Sequence, residues 1–315
     1  GAWKEHPMSP IVKDDANIYA KINWAVLENL FTTADVQLRY IGYKMNGTDD
    51  KYDATKKAMR DIDLQQQFLF LNPKLGITYK LNNQQDIYAS HSIANREPNR
   101  NNYTERSANE PLPTNETLFD TEIGYRYNSK TFSANVNLYH MYYKNQLILT
   151  GKISEIGELL TTNIPESYRA GIEVSATAKV TNNFTWGANV AFSQNKILNF
   201  TEQDVDVYDA DWNWTGTQNN YLGTTDIAYS PSVIANNIFT FNYNKFEAGL
   251  TSSFVGRQYF DNTSSKDRSI DPYFVNNLNL KYSINIKPLR GLDIQLLVNN
   301  IFNEQYASNA YTWYT

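Results

Sequence analysis

Hydrophobic and polar side chains alternate one by one over long stretches of the chain. From Tyr168 to Val180 one face reads Tyr168, Ala170, Ile172, Val174, Ala176, Ala178 and Val180, and the other reads Arg169, Gly171, Glu173, Ser175, Thr177 and Lys179. A period of two is that of an extended strand, whose side chains point alternately to opposite faces. After Thr181, Asn182 and Asn183 the pattern resumes, with Phe184, Trp186, Ala188, Val190 and Phe192 on one side and Thr185, Gly187, Asn189, Ser193 and Asn195 on the other. Both stretches exceed the roughly 5 or 6 residues usual in soluble sheets, and their apolar faces carry aromatics at the extremities.

Alternation and turn punctuation together predict about twelve strands, near residues 16–26, 33–44, 66–80, 86–95, 117–128, 131–149, 166–180, 184–199, 232–243, 245–258, 272–286 and 291–302. The connectors alternate in kind. Short ones fall near Leu27–Thr32, Asn82–Gln85, Asn128–Lys130, Thr181–Asn183, Asn244 and Pro288–Gly291. Those between, near 45–65, 97–116, 150–165, 200–231 and 259–271, are long, polar and rich in Asn, Asp, Thr and Tyr. Minimal turns at one end and elaborated loops at the other are the asymmetry of a membrane barrel, whereas a soluble sandwich has shorter strands and no such segregation.

The predicted fold is therefore all-β, a transmembrane antiparallel β-barrel wall in which each strand pairs with its sequence neighbours, because lipid offers the backbone no other partner. On the strand 168–180, Ile172, Val174 and Ala176 are expected to face lipid, and Arg169, Glu173, Ser175 and Thr177 the lumen. Lys21, Asn23, Arg39, Lys74, Asp120, Glu122, Arg126, Glu173, Lys179, Asp293 and Gln295 likewise oppose apolar faces, as in a water-filled or plugged lumen. The outer strands near Ile18 and Val298 are expected to expose unpaired edges.

Composition sharpens this picture in a few places. The 41% hydrophobic and 19% charged content averages two unlike faces, and no apolar run approaches the roughly 18 residues of a membrane helix. The 23 tyrosines and six tryptophans suit a membrane interface. There is no cysteine, hence no disulfide or thiolate site. A net charge of −5 without a basic run gives no nucleic-acid footprint, and GAWKEHPMSPIV lacks a basic-then-apolar leader.

Six segments carry a resemblance: MYYKNQLILTG (141–151), NIPESYRAGIE (163–173), FSQNKI (192–197), ANREPNRNNYT (94–104), LNPKLGITYKL (71–81) and LVNNIFNEQYA (297–307). They resemble the C-terminal half of the barrel of TonB-dependent outer-membrane receptors. The resemblance implies a 22-stranded barrel in the outer membrane of a Gram-negative bacterium, plugged by an N-terminal domain. It also implies import of scarce ligands such as siderophores, cobalamin or glycans with energy from the TonB system. In that family a stretch like Asn299 to Tyr306 occupies the penultimate strand. The chain is expected to be an internal piece, from about the tenth to the twenty-first strand, without the plug, the TonB-contacting segment or the final strand. Its implied partners are the TonB complex, the plug, outer-membrane lipid and a small nutrient ligand. A passive porin or adhesion barrel without energy coupling is the alternative.

Catalytic chemistry is not legible. His6, His91 and His140 are scattered, and there is no G-x-S-x-G and no phosphate-cradling glycine loop, so neither an enzyme, a metal centre nor a cofactor is expected. Two loops are candidates for ligand contact. One, from Thr201 to Pro231, combines Glu202, Asp204, Asp206, Asp209 and Asp211 with Tyr208, Trp212, Trp214 and Tyr221. Its carboxylates suit Ca²⁺ and its indoles suit a sugar or aromatic ring, although the spacing does not match the twelve-residue calcium loop. The other holds Arg96, Arg100, Tyr103 and Arg106, a basic patch suited to an anionic ligand or to lipopolysaccharide phosphates.

Overall fold

The structure is a computed structural model that describes residues 11–53, 56–104, 111–153, 157, 159–285 and 291–311. Its strands are β1 (Ile11–Leu27), β2 (Leu30–Asp53), β3 (Ala58–Asn82), β4 (Gln85–Arg96), β5 (Glu116–Asn128), β6 (Phe132–Ile153), β7 (Leu159–Lys179), β8 (Phe184–Tyr208), β9 (Trp214–Asp226), β10 (Val233–Tyr243), β11 (Phe246–Val255), β12 (Gln258–Tyr259), β13 (Ser269–Ile270), β14 (Tyr273–Ile284) and β15 (Leu292–Val298). One short helix, α1 (Arg100–Thr104), lies between β4 and β5, and a 3₁₀ turn covers Lys266–Arg268.

A single antiparallel sheet runs in the order β1-β2-β3-β4-β5-β6-β7-β8-β10-β11-β14-β15, with β9 paired to β8 off this path. Sequence neighbours pair as expected, with no Greek-key crossover in that path. β1 and β15, at the two ends of the path, each pair on one side only.

Three expected loops are largely strand. β2 and β3, 24 and 25 residues long, stay paired up to Asp53 and Ala58, and β6 and β7 pair up to Ile153 and Leu159. β8 continues through 200–208 and folds back as β9, which was not anticipated. A membrane strand needs only about 9–11 residues, so these ends continue as ladders for roughly 40 Å measured along the strand beyond the bilayer. Polar residues outnumber apolar ones there, which blurs the alternation, and backbone pairing holds the hairpins together with two small apolar clusters. The stretch Asn299 to Tyr306 also departs from expectation. β15 ends at Val298, and the chain turns at Asn300 with φ 51°, donating Asn300 N–H to Asn277 Oδ1 at 2.8 Å. The expected turn Pro288–Gly291 lies mostly outside the described residues.

The register settles which side chains share a face. Val174 lies between Val136 and Val190, whereas Ser175 lies between Asn135 and Asn189. Across the sheet one face carries Ile18, Ile22, Leu75, Ile123 and Leu138, all more than half exposed. So broad an uncovered apolar face is that of a protein bathed in lipid. It is bordered by aromatics at both ends of individual strands: Phe132 and Tyr142 on β6, Phe184 and Phe192 on β8, Phe246 and Phe254 on β11. These pairs are eight to ten residues apart in the sequence, which suits an apolar band about 25 Å tall on tilted strands.

The opposite face is polar and laced together. Arg39 grips Asp15 with Nε and Nη2 at 3.0 and 2.6 Å, and Glu97 reaches Lys13 at 2.7 Å and Arg39 at 3.6 Å. Arg126 bonds Asp86 at 2.7 Å and lies 4.7 Å above the Tyr88 ring. That ring lies flat across Gly124 on the next strand, where an added Cβ would sit 2.2 Å from the Tyr88 ring carbon that carries the hydroxyl, and its hydroxyl donates to Asn137. Tyr139 covers Gly171 in the same way. The absent side chain at each glycine is what lets a tyrosine brace the lumenal wall.

This division of faces has a thermodynamic consequence. In the full-length protein Val174→Arg is expected to cost roughly 2–4 kcal/mol near the bilayer midplane and Ser175→Arg much less. Reversible folding of both variants into lipid vesicles measures it, and equal costs would contradict the assignment.

Candidate functional site

Above the bilayer the long connections form three connected structures. In the first, residues 97–104 bend inward from β4 and place α1 against the β2–β3 hairpin. Tyr103 is only 5% exposed, packed with Tyr43, Met45 and Leu64, and its ring stacks on Tyr43 at 5.7 Å. Asn102 fastens the helix to β7 through Thr161 at 2.5 Å. Burial pushes the Tyr103 hydroxyl up to about 12, with Tyr43 and Glu97 adding to the effect, and the hydroxyl has no hydrogen-bond partner among the described residues. Arg96 pairs with Glu116 at 3.0 Å, and the same carboxylate accepts from Leu147 N–H at 2.9 Å. Arg100 opens α1 and is exposed. Arg106 lies outside the described residues.

The second structure is the β8–β9 hairpin, which gathers most of the acidic and aromatic candidates. Asp209 orders its tip: Oδ1 accepts from the N–H groups of Asp211 and Asn213 at 2.9 Å each, and Asn213 Nδ2 also reaches the carboxylate. The Asn213 bonds hold the Asp209 carboxyl below its usual range. Trp214 Nε1 donates to Asp206 at 2.8 Å, Tyr221 donates to Asn199 at 3.0 Å, and Tyr208 lies 6.3 Å from Trp212. Trp212 has φ 62° and is 84% exposed. Thus an aromatic surface is fixed in place by its own turn and left uncovered. The Asp204 side chain lies outside the described residues. Among the described residues no three His, Asp or Glu side chains are grouped to hold a metal.

The third structure, the connection after β11, contains residues that sequence reasoning passed over. Arg268 bridges Glu202 of the β8–β9 hairpin at 2.8 Å and buried Asp261 at 2.9 Å. Burial opposes the Arg268 charge, but the bonds to Glu202 and Asp261 outweigh it and raise its pKa. Asn262, 2% exposed, donates to Leu149 C=O of β6 and accepts from Ala228 N–H, both at 2.8 Å. Ser264 donates to Asp226, which also binds Lys196 at 2.6 Å. Beneath this knot Ile148, Ile164, Ile197 and Ile227 form a small core. The knot ties the β6–β7 and β8–β9 hairpins together. Its only local signal in the sequence is the polar run Asp261 to Arg268, which looks like any loop.

A many-stranded antiparallel wall, apolar outside and polar inside, with long hairpins at one end, defines the class of outer-membrane-type barrel proteins. Residues 7–301 match the family of TonB dependent receptor-like β-barrels, and the chain belongs to that family. No curated protein matches it. Among solved structures it is similar to the copper transporter OprC, with 17% identity, 94% of this chain and 43% of that one covered, and a TM-score of 0.68. The ferric yersiniabactin uptake receptor FyuA from Yersinia pestis gives 12%, 97%, 43% and 0.70. The siderophore receptor PiuA from Acinetobacter baumannii gives 14%, 96%, 40% and 0.69. At these identities the likeness is one of fold, and the chain spans less than half the length of each of these proteins.

The buried hydroxyl of Tyr103 separates packing from ligand contact. Tyr103→Ala is expected to cost about 3–5 kcal/mol through the lost ring. Tyr103→Phe removes an unpartnered hydroxyl and should leave stability unchanged or higher. Folding measurements on both variants check this, and a large loss for Tyr103→Phe would mean that the hydroxyl has a partner.

Proposed function

We propose that this chain is the outer wall and mouth of a receptor that imports a scarce nutrient across the outer membrane of a Gram-negative bacterium, using TonB-supplied energy. In this reading the chain belongs to a 22-stranded barrel whose plug packs against the polar lumenal face. The observation that carries the reading is the pre-ordered, uncovered aromatic tip of the β8–β9 hairpin, raised above a charged lumen. Exposed aromatic rings carried on an ordered turn, without a hydrophobic core to join, are suited to catching a ligand at reduced entropic cost. Trp212, Trp214 and Tyr208 supply stacking faces, and Asp206 and Asp211 supply acceptors. Asp209 holds the turn and is not free for ligand. Arg100 is the exposed cation of the opposite loop, while Arg96 is engaged by Glu116 and contributes through loop geometry.

Ligands of the siderophore type fit this arrangement, since they present planar donor groups and net charge, and the names of PiuA and FyuA associate their folds with a siderophore and with ferric yersiniabactin uptake. Uptake of labelled ferric siderophores, of a cobalamin and of oligosaccharides is to be compared in cells with and without the receptor and with and without TonB. The expected result is receptor-dependent accumulation of one ligand class that ceases without TonB. Trp212→Ala with Trp214→Ala should weaken its binding about tenfold or more, as loss of a stacking pair does. Accumulation that persists without TonB would mark a passive pore.

A further inference from the structure

The lumenal wall divides into two unlike parts. From β3 to β7 it carries Lys74, Asp120, Glu122, Arg126, Arg169 and Glu173, which the register places on one face. Among the described residues only Arg126 of these is in an ion pair, with Asp86 at 2.7 Å. Lys74 and Glu173 are exposed on that face. Two acceptors of the same part, Asp120 Oδ1 and Asn135 Oδ1, are shut off from solvent and have no partner among the described residues.

Between Thr185 and Ala191 on β8, and across the rows that these positions begin on β10, β11 and β14, the same face carries no charge. That is roughly 20 Å of wall measured along the strands. One row reads Gly187, Ile238, Thr251 and Asn277, and the first charges, Glu247 and Lys281, lie opposite each other near the short turns. The amides here are satisfied within the wall: Asn236 Nδ2 donates to Asn189 Oδ1 at 3.0 Å, and Gln295 Nε2 donates to Asn279 Oδ1 at 2.8 Å. Ile234 and Ile238 are 39% and 40% exposed. Over the outer end Tyr306 stacks on Tyr273 at 4.4 Å and Tyr229 O–H donates to Ala310 C=O, so two connections meet there and cover this part from above.

We propose that the imported ligand passes along the uncharged wall of β8, β10, β11 and β14, while the plug is held on the charged wall of β3 to β7. The proposal rests on the import reading given above and locates its route. A body seated in the barrel finds unpaired charges to bond only on the β3–β7 side, and stripping a charge of its partner costs far more than parting a neutral hydrogen bond. That side parts last. On the other side the wall has already satisfied its own amides, so nothing in it opposes separation. Fixed charges would trap a charged ligand, whereas hydroxyls, amides and methyl groups hold it weakly at many points, which is the condition for moving on rather than staying bound.

The test is cysteine accessibility in cells that make the full-length receptor, with any cysteines elsewhere in it replaced by serine. Thr251→Cys probes the uncharged wall, and Ser90→Cys, between Gly76 and Glu122, probes the charged one. Both are exposed to fluorescein maleimide while the ferric siderophores, the cobalamin and the oligosaccharides of the uptake comparison are supplied in turn. Heat-modifiable gel mobility verifies that each variant is a folded barrel. With the probe that is taken up, labelling at position 251 should rise about tenfold or more in cells with TonB, as an open form goes from minor to populated, and should not rise without TonB. Labelling at position 90 should stay unchanged. The adduct at position 251 should then stop uptake and leave surface binding of the probe intact. No rise at position 251, an equal rise at position 90, or uptake indifferent to the adduct would overturn the route and leave TonB-dependent import standing. Uptake that persists without TonB would overturn the import reading and the proposal with it.

Discussion

In a bilayer core the backbone has no water to bond, so every N–H and C=O of a spanning strand must find its partner on the next strand. That constraint organises this chain. It accounts for a sheet that proceeds strand by strand from β1 to β15, for the short turns at one end, and for registers that hold over long uninterrupted runs. With pairing continuous and side chains alternating, one face is committed to lipid and the other to the lumen. Above the bilayer the ladder no longer needs an apolar face, and the same pairing carries β2–β3, β6–β7 and β8–β9 upward as polar hairpins.

The inside and outside then pose opposite electrostatic problems. On the lumenal face, charges are solvated and can be numerous, and the network of Lys13, Asp15, Arg39 and Glu97 stiffens the mouth as much as it lines it. At the top, stability comes from burial as well as charge: Tyr103 packs α1 onto β2 and β3, and the knot of Asp261, Asn262 and Arg268 fastens two hairpins. These devices leave the β8–β9 tip uncovered while fixing its base. That combination suits the receptor mouth proposed above, since a ligand platform binds well only if it is ordered before the ligand arrives.

The membrane wall was legible because its signal is periodic. β4, β5 and β10 match the strands expected from alternation to within a residue or so. The upper hairpins were not legible, because their many Asn, Asp and Thr leave too few apolar positions to mark a period, while the backbone remains paired. For the same reason β9 was taken for loop. The candidate site was legible in part. Asp206, Tyr208, Asp209, Trp212 and Trp214 do gather at one tip, but their roles differ in ways composition cannot reveal: Asp209 orders the turn and Trp212 is uncovered. Tyr103 was named for ligand contact and is packed against Tyr43, a pairing between residues 60 apart that no local pattern records. Arg268 and Asn262 escaped notice for a like reason, since Glu202, Leu149 and Ala228 lie far from them in the sequence.

The central claim is that the alternation of side chains along β7 reports lipid on one side and a polar lumen on the other. These 315 residues contain no cysteine, so single cysteines placed in turn from Tyr168 to Lys179 in a full-length receptor whose cysteines elsewhere, if it has them, are replaced by serine can carry a spin label without interference. Relaxation by oxygen, which concentrates in lipid, and by a water-soluble nickel chelate should both vary with a period of two and exactly out of phase. Oxygen should reach Ile172, Val174 and Ala176, and nickel Glu173, Ser175 and Thr177. In-phase variation, or no period at all, would contradict the membrane wall on which the rest depends.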